Sequence, residues 1–183
     1  DGITKGDLFE YYDAVADRLY LRNNGSGELH ALTTETPRSS NPVLYCVSFA
    51  GASASFDRVI FVATGALTPE ASEAPGVNLY EWAAGKLSLV SVLPGGAPAQ
   101  PAPRTSFGAV GKGCEMNGSI VRNAISADGS RIFWTYALPG KPTQLLARLD
   151  GAATIQLDAP QGGPGSAGGG RFWAASDDGS KVF

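Results

Sequence analysis

A chain of 183 residues, 43% hydrophobic and 17% charged with a formal net charge of −3, fits a globular domain or part of one and lacks the basic surface of a nucleic-acid binder. Its 24 glycines and 12 prolines exclude long helices and forecast many turns. An apolar run of about 18 residues is missing, so no membrane-spanning helix is expected.

In chain order, the opening DGITKGDLFEYY starts at Asp1 and has neither a basic n-region nor an apolar h-region. A signal peptide is therefore expected to have been removed or never to have lain in this stretch. Few lysines, many small residues and two cysteines, Cys46 and Cys114, point to export: a secreted, cell-surface or periplasmic protein of bacterial type. Two kinds of segment then alternate. Hairpin signals begin at Arg18 (RLYLRNNGSGELHALT), Asn78 (NLYEWAAGKLSLVSV) and Gln144 (QLLARLDGAATIQLD). Between and after them come a turn and an apolar strand: SASFDRVIFVAT from Ser53, SADGSRIFWTYA from Ser126 and SDDGSKVF from Ser176. These six pieces are halves of one repeating unit of about 50 to 70 residues.

Each half reads with period two. Ile132 and Trp134 point to one face and Phe133 and Thr135 to the other, which suits a strand buried on both sides between stacked sheets. In the hairpins the alternation loosens, so these read as outer, half-exposed strands. Asp128-Gly129, Asp178-Gly179, Asp150-Gly151 and Ala84-Gly85 place glycine where a turn needs positive φ, and an aspartate there bonds the amides ahead of it.

One unit thus reads as four antiparallel strands at Leu44–Ala52, Arg58–Ala63, Val77–Trp82 and Lys86–Val92. The next has strands near Ile120–Ser126 and at Arg131–Tyr136, Thr143–Leu149 and Ala153–Leu157. Four-stranded meanders repeated head to tail are propeller blades. SADGSRIFW and SDDGSKVF, with hairpins such as QLLARLDGAATIQL, resemble the TolB-type, WD40-like β-propeller repeat. The resemblance implies an all-β propeller of two and a half to three and a half blades: a partial blade over 1–36, blades over 43–93 and 119–159, and the start of another over 171–183. Such wheels close with four to eight blades, so the chain is expected to be a segment of a larger protein, with the remaining blades among its partners. Ser55-Phe56 stand where the repeat has Asp-Gly, so the first a–b turn is expected to close differently.

In such a meander the b–c and d–a connections emerge at one end and the short a–b and c–d turns at the other. Thr33–Asn41, Gly65–Gly76, Pro94–Ser119 and Gln161–Gly170 all fall at the first end, where binding is expected. Its polar candidates are Glu70, Glu73, Arg104, Lys112 and Glu115. The segments GGAPAQPAPR and QGGPGSAGGG read as permissive insertions. Cys46 and Cys114 lie near this end on neighbouring blades, either as a disulfide or as two buried thiols.

Catalytic signals are weak. His30, alone of its type, sits on a hairpin strand, no Gly-x-Ser-x-Gly elbow occurs, and two cysteines with one histidine make a poor zinc set. Asp177-Asp178-Gly179 offers oxygen ligands for calcium, yet a turn accounts for the same residues. Tyr80, Trp82, Phe133, Trp134, Phe172 and Trp173 read as blade packing. No cofactor is expected. The expectation is a non-catalytic extracellular or surface interaction module for a protein or glycan partner. The alternative is the propeller part of a hydrolase whose catalytic residues lie outside this chain, and a weaker third is a calcium- or glycan-binding wheel.

Overall fold

The computed structural model describes residues 18–38, 46–101, 106–107, 123–160 and 167–183. Among them the chain is all-β: ten strands and no helix. Strands β1 (Tyr20–Arg22) and β2 (Leu29–Ala31) form a hairpin. The first four-stranded sheet is a meander of β3 (Val47–Ala52), β4 (Arg58–Thr64), β5 (Val77–Ala83) and β6 (Lys86–Leu89). The second follows the same order with β7 (Ser106–Phe107), β8 (Arg131–Tyr136), β9 (Gln144–Leu149) and β10 (Ala153–Gln156). Every pairing is antiparallel.

Period-two side-chain placement lets each b strand feed two cores at once. In β4, Val59, Phe61 and Ala63 face the first hairpin and join Leu19, Leu32 and Tyr80. Its other face sends Ile60 and Val62 toward Ile132, Trp134 and Leu146 of the second sheet. In β8 the same division puts Phe133 on the far side with Leu145, Ala147, Phe172 and Ala175. Stacked pairs Phe61–Tyr80 and Phe133–Phe172, each with ring centroids 5.6 Å apart, fill equivalent places in successive layers. The expected doubly buried b strand is what the structure shows, and the arrangement is that of propeller blades stacked face to face.

Three expectations need correction. The inner strand of the second sheet is not one run near Ile120–Ser126. Ile125 bridges Ile132 and the Ala124 carbonyl accepts from Phe133 N, whereas further along β8 the partner is β7, pairing Ser106 with Thr135 and Phe107 with Trp134. Two stretches of chain therefore share the inner place, and residues 120–122 lie outside the described ones. The c strand of the first sheet is also not half exposed. Val77 to Glu81 is buried throughout, because β5 has a hydrogen-bonded strand on each edge and a packed layer on each face, whereas β9 keeps Gln144, Arg148 and Leu149 half-buried, and β6 and β10 are more open still. Third, the turn at Ser55-Phe56 closes as the others do.

That turn shows how the repeat works. Ser53 N donates to Arg58 O, Ser126 N to Arg131 O and Ser176 N to Lys181 O, each at 2.9 Å. Each serine hydroxyl in turn accepts from the amide five residues on, at 3.1, 3.0 and 3.1 Å. Phe56, Gly129 and Gly179 occupy one position, with φ of 60°, 75° and 65°. Backbone bonds and the leading serine hydroxyl close the turn, so the missing aspartate and glycine at Ser55-Phe56 leave its shape intact.

The turns also join the layers. Ala54 N donates to Ala127 O at 2.9 Å, and Ala127 N to Asp177 O at 2.7 Å. Alongside, the Arg58 side chain lies across Gly129, and Arg131 Nη1 donates to Asp178 O at 2.7 Å while its stem covers Gly179. A Cβ at Gly129 would run into Arg58 Cδ. Glycine there avoids both the strain of positive φ, which Phe56 carries in the first turn, and a collision with the neighbour's arginine.

Candidate functional site

Of the long connections, the loop 65–76 between β4 and β5 lies wholly within the described residues, and it is firmly anchored. Tyr80, wholly buried, donates its hydroxyl to Gly65 O at 2.8 Å and accepts from Leu67 N at 3.0 Å. The buried amide of Asn78 donates to Gly65 O and Ser72 O at 3.2 and 3.1 Å. From the first hairpin's side, Arg38 reaches over to donate to Thr68 O at 2.7 Å and Pro69 O at 3.1 Å.

Of the residues singled out from the sequence, Glu70 stands exposed on this loop and Glu73 is exposed but ion-paired with Arg38 at 3.4 Å. Arg104, Lys112 and Glu115 lie outside the described residues. Sequence reasoning missed Arg38, whose role depends on a contact 30 residues away. Part of the proline-rich stretch is also more ordered than an insertion. Leu93 N donates to Ala97 O, Gly96 N to Leu93 O and Ala99 N to Ser91 O, with Ala99 buried. Cys46 is disulfide-bonded; Cys114, named with it from the sequence, lies outside the described residues.

At the opposite end the a–b turns form charged brackets. Asp128 accepts from Ser126 Oγ, Ser130 N and Ser130 Oγ at 2.6, 2.9 and 2.8 Å. Asp178 repeats this with Ser176 and Ser180. These hydroxyl and amide donors, the serine hydroxyl at the turn's start foremost, hold both carboxyls down at about 2. Asp177 accepts from Asn123 Nδ2 at 2.8 Å. Among the described residues no three of His, Cys, Asp and Glu converge. Asp150 and Gly151 both take positive φ, 50° and 65°, in the hairpin turn between β9 and β10. His30 stands half exposed on β2, 3.6 Å from Glu28.

Behind the brackets lies a charge cluster built on one buried carboxylate. Glu81, 4% exposed, pairs with Arg58 Nη1 at 2.9 Å, and its charge also reaches Arg148 of the second sheet. Burial pushes the Arg148 guanidinium below its ordinary value, and the Glu81 charge opposes that. The cluster thereby ties the two sheets together by electrostatics as well as by packing.

The same end holds a groove of about 630 Å³ that no sequence expectation anticipated. It opens between the first hairpin and the short turns of the first sheet, with Arg22, Asn24 and His30 on one wall and Phe56, Asp57 and Trp82 on the other. The one available signal was a phenylalanine in a glycine's place.

No protein-family model matches the chain, and no curated protein matches it. Among solved structures it resembles TolB from Acinetobacter baumannii, with a TM-score of 0.43 and 11% identity over 82% of this chain. The aligned part is 29% of that protein, so the chain spans less than a third of its length. The propeller assignment rests on the blades themselves: two equivalent four-stranded meanders, stacked face to face and joined by identical turn-to-turn bonds.

Proposed function

We propose that this protein is a non-catalytic interaction module that holds its partner, a protein, on the long connections at one end of the stacked blades. The observation that supports this is the anchoring of loop 65–76 by Tyr80, Asn78 and Arg38, which presents Glu70 outward on a fixed frame. A loop ordered before binding loses less entropy on association. The disulfide at Cys46 supports an oxidising location, secreted, surface or periplasmic, and Cys114 is its proposed partner.

A photo-crosslinking residue placed at Glu70, and separately at Lys86 on the opposite end, tests the reading in cells that produce the protein. Discrete protein adducts from position 70 and none from position 86 are expected. Adducts from 86 alone, or from neither position, would overturn it.

A further inference from the structure

The groove at the short-turn end differs in kind from the loop end and stands independently of the reading above. Its volume of about 630 Å³ lies within the range of small-ligand sites. Two aromatic rings line it. Trp82 is half-buried and backs onto the first core, which fixes its ring. Phe56 is 38% exposed and holds φ at 60°, a left-handed conformation that a bulky side chain seldom adopts. The two equivalent turns use glycine there. An aromatic ring kept in a strained position and left partly in solvent contributes little to packing, which points to a use outside the core.

The polar groups narrow the ligand class. Arg22 Nη1 donates to Asn24 Oδ1 at 3.0 Å, so the guanidinium is oriented before any ligand arrives and the Asn24 amide keeps its own donors. Asp57 supplies an acceptor on the facing wall. A purely apolar ligand would strip water from Arg22 and Asp57 without replacing it. A charged ligand would meet one of them as a like charge. A ring with an apolar C–H face and hydroxyls that both donate and accept satisfies all of them.

We propose that this groove binds a neutral saccharide, with Trp82 and Phe56 as the stacking platform and Arg22, Asn24 and Asp57 as hydrogen-bonding partners.

Calorimetric titration of the full chain with cellohexaose, maltohexaose, xylohexaose and chitohexaose tests it. At least one should bind in the micromolar to millimolar range. Trp82→Ala and Phe56→Gly should each weaken that binding about tenfold or more. Trp82→Phe, which keeps a ring, should lose less. Phe56→Gly relieves the backbone, so its melting temperature should stay level or rise, which separates lost recognition from lost folding. The proposal is overturned by an absence of binding to all of these sugars, by affinity unchanged in both ring-removing variants, or by tighter binding of anionic hexagalacturonate than of any neutral probe.

Discussion

At the scale of single residues, the repeat is a set of hydrogen-bond assignments, and each can be removed in turn. Gly129→Ala forces a side chain into positive φ and against Arg58, so it should destabilise by about 1–3 kcal/mol, read as a lower midpoint in urea. Gly85→Ala has the same φ problem with nothing within reach of the new Cβ and should cost less; equal losses would show that the interlayer arginine contributes nothing. Asp128 and Asp178 set an acid limit. Their carboxyls sit at about 2 in the folded chain against an ordinary 3.8, so the folded state favours the ionised form. That stabilisation is full above 3.8 and fades as pH falls toward 2. A chain with both Asp128→Asn and Asp178→Asn should melt lower than the parent at neutral pH, and the gap should shrink across that acid window. A gap constant with pH would remove the brackets from the account.

At the scale of strands and sheets, Glu81 is the element-joining charge. Glu81→Ala leaves the part-exposed Arg58 and Arg148 without their carboxylate and should cost about 1–3 kcal/mol, the range for a lost hydrogen bond between charged groups discounted for the arginines' access to water. Trp134→Ala, at the middle of the layer between the sheets, should cost about 3–5 kcal/mol through the cavity it opens. The strands themselves were legible in the residues. Arg131–Tyr136 is copied without change from pattern to structure, because a doubly apolar run after Asp-Gly leaves one reading. The composite inner strand was not legible, since Ser106–Phe107 is two residues long and carries no periodicity to detect. The burial of β5 was hidden for a different reason: Asn78 and Glu81 look like solvent-facing positions until their loop carbonyls and arginine appear. The groove was illegible because its walls come from separate hairpins, and local pattern says nothing of what meets across a gap.

At the scale of the whole molecule, hydrophobic surface is unevenly covered. Trp173 and Phe183 are 66% and 79% exposed beside the last described layer, with Arg171 set over the Trp173 ring at 5.0 Å. The chain should therefore associate as its concentration rises, and Trp173→Lys should shift light-scattering mass toward the monomer; a parent chain monomeric throughout would contradict this. Cys46 bears on the same scale. If its bond runs to Cys114, a non-reduced digest yields one peptide pair joining them, and Cys46→Ser lowers stability by about 3–5 kcal/mol in the chain-entropy account. The turn-to-turn bonds have a consequence for ancestry and engineering alike. Ala54 gives to Ala127 and Ala127 gives to Asp177, always main chain to main chain and always in the same sense. A junction whose turn-to-turn bonds are written in backbone atoms asks little of side chains beyond the bridging arginine and its glycine, so modules can be duplicated, exchanged or added in tandem while their outer decoration drifts freely.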